Sequence, residues 1–223
     1  MPAAARPILC YVTDRHLLGS EEEARLSALR KAIRRAVTAE VDWVQIREKD
    51  LSGRQLSELT RDAVAVAAGT STRIIVNDRL DIGLGVGAAG VHLGEESFPV
   101  AEVVRWRKTD ETHAHFLVGA SCHSLAAAQQ VERDGADYVF FGPVFDTPAK
   151  RQFGPPQGVE RLEEVCEGVR IPVLAIGGIT LENAAECLRA GAAGLAAIRL
   201  FQEWPDLSTA VAQLRSGFSP ICQ

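Results

Sequence analysis

The chain lacks any C-x-x-C pair. Its five cysteines, Cys10, Cys122, Cys166, Cys187 and Cys222, are scattered. This is neither a disulfide framework nor a zinc pattern, so free thiols in a reducing compartment are expected. No run of Lys or Arg exceeds two residues, and the formal net charge is −5. A mildly acidic chain without a basic face is a poor partner for nucleic acid or an anionic membrane. No apolar stretch approaches the ~20 residues needed to span a bilayer. The segment Met1-Pro2-Ala3-Ala4-Ala5-Arg6 has no apolar core of a signal peptide. By elimination, the expected location is the cytoplasm. An anionic ligand would have to be held by locally placed cations and backbone N–H groups.

What is present is an alternation. Short apolar runs recur at Ile8–Val12, Trp43–Arg47, Ile74–Val76, Gly90–Leu93, Phe116–Ala120, Tyr138–Phe141, Pro172–Ile176 and Gly194–Ile198. Several are almost continuously apolar, as parallel strands buried on both faces must be. Helical patterns lie between them. Ser20-Glu21-Glu22-Glu23 reads as a capping box, and Thr180, Ser124 and Pro99 open further helices. Three helix-to-strand junctions repeat one form, at Gly87–Gly90, Gly135–Tyr138 and Gly191–Gly194. In each, the leading Gly suits a left-handed helix C-cap.

Eight βα units within 223 residues, without a long linker, predict an α/β protein: one (β/α)₈ TIM-barrel domain. The barrel would run from about residue 8 to about residue 216, with a short C-terminal tail. An open, doubly wound sheet is the alternative, since periodicity does not show closure. Gly85-Val86-Gly87-Ala88-Ala89-Gly90 matches G-x-G-x-x-G. A dinucleotide fingerprint needs a strand before it and a helix after it, and here the order is reversed.

In a barrel, polar residues that follow strands face the site, while those that precede strands serve stability. After strand two, period two puts Gln45, Arg47 and Lys49 on one side, suited to a polyanion such as diphosphate. Pairing of these cations with Glu48 and Asp50 is the competing reading. Asn77 and Asp78 follow strand three, and Glu95, Glu96 and Ser97 follow strand four. A carboxylate at one strand end and acids or hydroxyls at the next could hold Mg²⁺, with substrate phosphates completing the octahedron. Asp78 could instead cap the helix opening at Arg79.

Ser121 and His123 follow strand five. A long Gly- and Pro-rich loop after strand six carries Thr147 and Lys150, a hydroxyl and an ammonium available to a phosphate. After strands seven and eight, Gly177-Gly178 and Arg199 stand at the usual phosphate site of this fold. His113 and His115 precede strand five and read as surface residues. His92, inside strand four, reads as a packed, hydrogen-bonded core residue. Trp43, Trp106 and Trp204 read as core or helix-packing residues.

Taken together, these strand ends resemble a known family. Tyr11-Val12-Thr13-Asp14-Arg15, Gln45-Ile46-Arg47-Glu48-Lys49, Val76-Asn77-Asp78, Gly90-Val91-His92-Leu93-Gly94, Gly142–Thr147 and Ile176–Thr180 are similar to segments of the thiamine-phosphate synthase and thiazole tautomerase superfamily. The resemblance covers about Ile8 to Phe201. It implies condensation of hydroxymethylpyrimidine diphosphate with thiazole phosphate, by a dissociative mechanism in which diphosphate leaves first. By resemblance, Arg47, Lys49, Asn77 and Lys150 hold the diphosphate, and Asp78 binds Mg²⁺. Gln45 and Ser121 face the pyrimidine, while Gly178 and the loop after strand eight receive the thiazole phosphate.

Three positions depart from the family pattern. Ser97 stands where a second Mg²⁺-binding Asp is usual, Ala149 replaces a Thr, and Arg199 replaces a small residue. Glu95 or Glu96 is the candidate replacement carboxylate. These departures keep two alternatives open: the proton-transferring thiazole tautomerase and a non-catalytic ligand-binding homologue. The implied partners are small phosphorylated molecules, and a homo-oligomer is compatible with the sequence.

Overall fold

The structure is a computed structural model that describes residues 6–147 and 155–216. Eight strands form the centre: β1 (Ile8–Val12), β2 (Trp43–Ile46), β3 (Arg73–Asn77), β4 (Gly90–Leu93), β5 (Leu117–Cys122), β6 (Tyr138–Phe141), β7 (Val173–Ile176) and β8 (Gly194–Ala197). They pair in parallel in chain order, and β8 pairs with β1, Ile8 opposite Gly194, so the barrel closes. Closure removes the open-sheet alternative. It also removes both free edges that such a sheet would expose. Helices α1 (Glu22–Thr38), α2 (Gly53–Ala67), α3 (Leu80–Gly85), α4 (Val100–Arg107), α5 (Leu125–Arg133), α6 (Gly158–Gly168), α7 (Ala184–Arg189), α8 (Arg199–Gln202) and α9 (Leu207–Ser216) follow the strands.

Period two explains the apolar runs. Cys10, Val12, Trp43, Ile75, Tyr138, Phe140, Leu174 and Ala196 cluster on the inner face. Their sequence neighbours Leu9, Tyr11, Val44, Val139, Phe141 and Leu195 belong to a second cluster, under the helices. Both faces are therefore apolar, which is why helical cover and strand sequence match.

Strand five runs to Cys122, two residues beyond the expected end. The ladder to β6 continues through Ser121 opposite Phe140 and Cys122 opposite Phe141. The expected capping box at Ser20 does not form. Helix α1 is capped by Glu21 without a side-chain hydrogen bond. Glu22, the first residue of α1, instead pairs with Arg15 at 2.8 Å. A capping box does occur at Ser52, whose side chain exchanges hydrogen bonds with Gln55. Ser124 caps α5 as expected, accepting from the Ala127 N–H.

All three predicted glycine C-caps are left-handed, with φ of 70°, 91° and 92° at Gly87, Gly135 and Gly191. In each, the next residue donates to a carbonyl five positions back. The false dinucleotide motif is thus the end of α3 running into β4.

At the amino ends of the strands, Asp137 accepts from the Val118 N–H at 2.7 Å and pairs with Arg107. This fits a stability role at that end. The described cysteines, Cys10, Cys122, Cys166 and Cys187, are free. Burial pushes the Cys122 thiol up to about 12, so it stays protonated at neutral pH. Among the described residues no helix is long and apolar enough to cross a membrane.

Candidate active site

Toward the carboxyl ends of the strands the inner face changes from apolar to polar. Gln45 on β2, Asn77 on β3, His92 on β4 and Ser121 on β5 stand there, each in ladder register with its sheet. Above them opens a cleft of about 1540 Å³. That exceeds the ~300–1,000 Å³ usual for a single small ligand, so it has room for two. The lining includes Gln45, Arg47, Lys49, Asn77, Asp78, Glu96, Ser121, His123, Thr147, Gly178 and Arg199. These are all the expected site residues except Lys150, which lies outside the described residues.

The segment after β2 divides by period two. Arg47 and Lys49 line the cleft. The intervening Glu48 and Asp50 belong instead to Arg15, a side chain only 3% exposed. The Arg15 guanidinium makes two 2.7 Å bonds to Asp50, one of 3.1 Å to Glu48 and one of 2.8 Å to Glu22. The Arg15 N–H also reaches both Glu48 oxygens at 3.2 Å. Arg15's hydrogen bonds hold the Asp50 carboxyl well below the usual carboxylate range. The competing reading, in which Glu48 and Asp50 neutralise Arg47 and Lys49, is therefore not what forms. Neither cation has an ion pair with another described residue. The Arg47 backbone is fixed by its N–H donating to the buried Thr13 hydroxyl at 2.9 Å.

Two hydrogen-bonded chains organise the floor. In the first, Gln45 Nε2 donates to Asn77 Oδ1 at 2.9 Å, and Asn77 Nδ2 donates to Asp78 Oδ2 at 2.6 Å. A carboxylate only accepts, so Asp78 sets the orientation of both amides. Asp78 Oδ1 accepts from the Gly94 N–H at 3.2 Å and from the Ser97 hydroxyl. Asp78 is left-handed, at φ 61°, and Arg79, not Asp78, is the cap of α3. In the second chain, His92 Nδ1 meets the Tyr138 hydroxyl at 3.2 Å and His92 Nε2 meets Ser121 Oγ at 2.9 Å. Burial lowers the His92 pKa to about 3, so the ring is neutral. His92 is the packed, hydrogen-bonded residue expected, and it also faces the cleft.

Among the described residues no group of three or more His, Cys, Asp or Glu side chains could hold a metal alone. Mg²⁺ does not require one, because it keeps waters and binds through one or two carboxylates plus substrate phosphates. Asp78 Oδ1 and Ser97 Oγ are mutually bonded hard oxygens on adjacent strand ends, which fits such a sparse donor set. Glu96 lines the cleft but makes no hydrogen bond to Asp78.

On the opposite side, the His123 Nδ1 contacts the Gly142 carbonyl. That oxygen can only accept, so Nδ1 carries the hydrogen and Nε2 is bare when neutral, 4.0 Å from Glu95. Ser124 itself supplies the α5 cap, so His123 does not. Gly178 is left-handed at φ 68°, and a Cβ there would meet the Asp146 carbonyl oxygen at 2.7 Å. Its carbonyl accepts from Asn183 Nδ2 at 2.9 Å. Arg199 is largely exposed and 3.3 Å from Glu203.

Sequence reasoning missed four contributors: Thr13, Arg15, Ser97 as the partner of Asp78, and Trp204 as a cleft wall. Arg15 had a signal, since a charged residue beside a strand-one end faces the acids of strand two in a parallel barrel.

Three comparisons bear on this site. A family model described as thiamine monophosphate synthase matches residues 9–201. A thiamine-phosphate synthase of Roseiflexus castenholzii is 37% identical, over 95% of this chain and 88% of its own. The thiamine phosphate pyrophosphorylase of Pyrococcus furiosus superposes with a TM-score of 0.76 at 33% identity, covering 94% of this chain and 95% of that one.

Proposed function

The chain belongs to the thiamine monophosphate synthase family, a transferase family of thiamine biosynthesis, and from that membership we propose how its cleft works. The reaction joins hydroxymethylpyrimidine diphosphate to thiazole phosphate, giving thiamine phosphate and diphosphate. The observation that carries this reading is the sorting of charges by Arg15. It takes up Glu48 and Asp50 and leaves Arg47 and Lys49 lining the cleft without an ion-pair partner among the described residues.

A dissociative step asks for little acid–base machinery. The bond between the methylene carbon and the diphosphate oxygen breaks, and the electron pair leaves with diphosphate. Arg47 and Lys49, with Lys150 and Asn77, stabilise the charge gathering on that group. The thiazole nitrogen then donates its lone pair to the pyrimidinylmethyl cation. Gln45 and Ser121 orient the pyrimidine. The turn at Gly178, with Arg199 and Thr147, offers backbone N–H groups, a cation and a hydroxyl to phosphate. Asp78 with Ser97 would hold Mg²⁺, which when bound supplies positive charge to the phosphate oxygens; Glu96, which lines the same cleft, would be a further carboxylate able to accept from its waters.

The test is condensation activity with and without added Mg²⁺, in the wild type and in Asp78→Asn. The reading expects activity that depends on Mg²⁺ and a higher Mg²⁺ requirement in the variant. Full activity in a chelator, unaltered by Asp78→Asn, contradicts the metal assignment.

A further inference from the structure

The reaction uses neither Tyr138 nor any proton of His92, yet both are held with care. Tyr138 is 1% exposed, and Trp43 packs against its ring at a tilt of 54°, with centroids 4.6 Å apart. Beneath it on β5 is Gly119, where a Cβ would run into the Tyr138 ring. The missing side chain at Gly119 is what admits this tyrosine to the inner face. His92 is held against Phe140 at 4.2 Å.

The hydrogen bonds of this trio have only one satisfactory direction. The Tyr138 hydroxyl meets a single described partner, His92 Nδ1. Were Nδ1 to carry the imidazole hydrogen, the buried Tyr138 O–H would have no acceptor, which is costly. Tyr138 therefore donates to Nδ1, and a neutral imidazole then carries its hydrogen on Nε2. Nε2–H donates to Ser121 Oγ at 2.9 Å. With that oxygen engaged as acceptor, the Ser121 hydrogen turns to the cleft.

We propose that Tyr138 and His92 are positioning residues that fix the Ser121 hydroxyl as a hydrogen-bond donor, so the site selects a heteroaromatic ring presenting a bare nitrogen to it. This rests on the assignment of the pyrimidine to the floor beside Ser121 and Gln45. The other chain sets the complementary polarity. Asp78 turns Asn77, Asn77 turns Gln45, and Gln45 Oε1 is left as an acceptor suited to an exocyclic amine. An aminopyrimidine satisfies both ends.

Two measurements test the proposal. Nitrogen-15 NMR of the ligand-free wild type assigns the imidazole hydrogen of His92, with Nε2 expected; a hydrogen on Nδ1 overturns the relay. In steady-state kinetics, Tyr138→Phe raises KM for the pyrimidine diphosphate about fivefold, the worth of one ordinary hydrogen bond. KM for thiazole phosphate and kcat stay within about twofold of wild type. His92→Gln, whose amide can still donate to Ser121, retains a near-normal KM, and His92→Phe behaves as Ser121→Ala does. Equal rises in both KM values in Tyr138→Phe and His92→Phe would mean general loosening and overturn the proposal. A wild type with hydrogen on Nε2 but no condensation would sink the proposed reaction and leave the relay standing.

Discussion

Neighbouring residues 48 and 49 carry charges with opposite duties, so two substitutions there should separate catalysis from stability. Lys49 lines the cleft, and Glu48 is buried against Arg15. A unit charge pair at ~4 Å and an effective dielectric of ~20 is worth about 4 kcal/mol. The share that grows as diphosphate departs resembles loss of one donor to a developing anion, ~2.7–4 kcal/mol or ~10²–10³ in rate. Lys49→Ala should therefore lower kcat at least about a hundredfold, with little change in melting. Glu48→Gln breaks a buried ion pair, which costs ~3–5 kcal/mol where the partner is left uncompensated, and burial, which raises the Glu48 pKa against the pull of Arg15, offsets part of that cost. Asp50 still holds Arg15 through two bonds, so the lower end applies, about 3 kcal/mol. At ~2–4 °C per kcal/mol for a chain of this size, melting should fall by about 6–12 °C. Its turnover, measured as diphosphate release at 25 °C, should stay within about threefold of wild type. The reasoning fails if Lys49→Ala turns over normally, or if Glu48→Gln melts normally and loses a hundredfold in rate.

Three further outcomes are expected. His123→Gln should lose less than about tenfold in condensation, since general acid–base catalysis would have been worth ~10²–10⁴; a larger loss makes His123 a proton carrier. Glu40 follows α1 in a left-handed conformation at φ 57°, the position that a left-handed Gly fills after α2, α3, α5 and α7. Glu40→Gly should raise stability by about 1 kcal/mol in urea denaturation, and a loss there refutes the strain argument. His92, with its folded pKa lowered to about 3 from 6.5 by burial, binds fewer protons folded than unfolded between those values. Stability from this group is present above about 6.5 and is lost as pH falls toward about 3. His92→Gln should flatten the acid limb of the denaturation curve, and an unchanged slope refutes it.

Much of this was legible in the sequence because a barrel writes itself in two periods. The apolar runs located all eight strands to within two residues, and glycine at positions 87, 135 and 191 marked helix ends through a backbone requirement that few other residues meet. The polar residues after strands gathered into one cleft for the same geometric reason. Non-local choices were not legible. Which acids Arg15 would claim depends on β1 and β2 lying side by side, a fact of closure rather than spacing. Ser20 had the letters of a capping box, yet α1 starts at Glu22 behind Glu21, and Glu22 pairs with Arg15 across the loop. Ser97 came into contact with Asp78 because β3 and β4 end together, which no local pattern announces.

The reaction proposed for the cleft expels diphosphate from one substrate and joins the remainder to the other. The direct measurement is the purified protein with hydroxymethylpyrimidine diphosphate, thiazole phosphate and Mg²⁺, quantifying diphosphate and thiamine phosphate together, beside a parallel assay for thiazole carboxylate phosphate isomerisation. Equal amounts of the two products are expected, formed only when both substrates are present, with no isomerisation. Isomerisation that collapses in His123→Gln, with no diphosphate released, would contradict the proposed reaction.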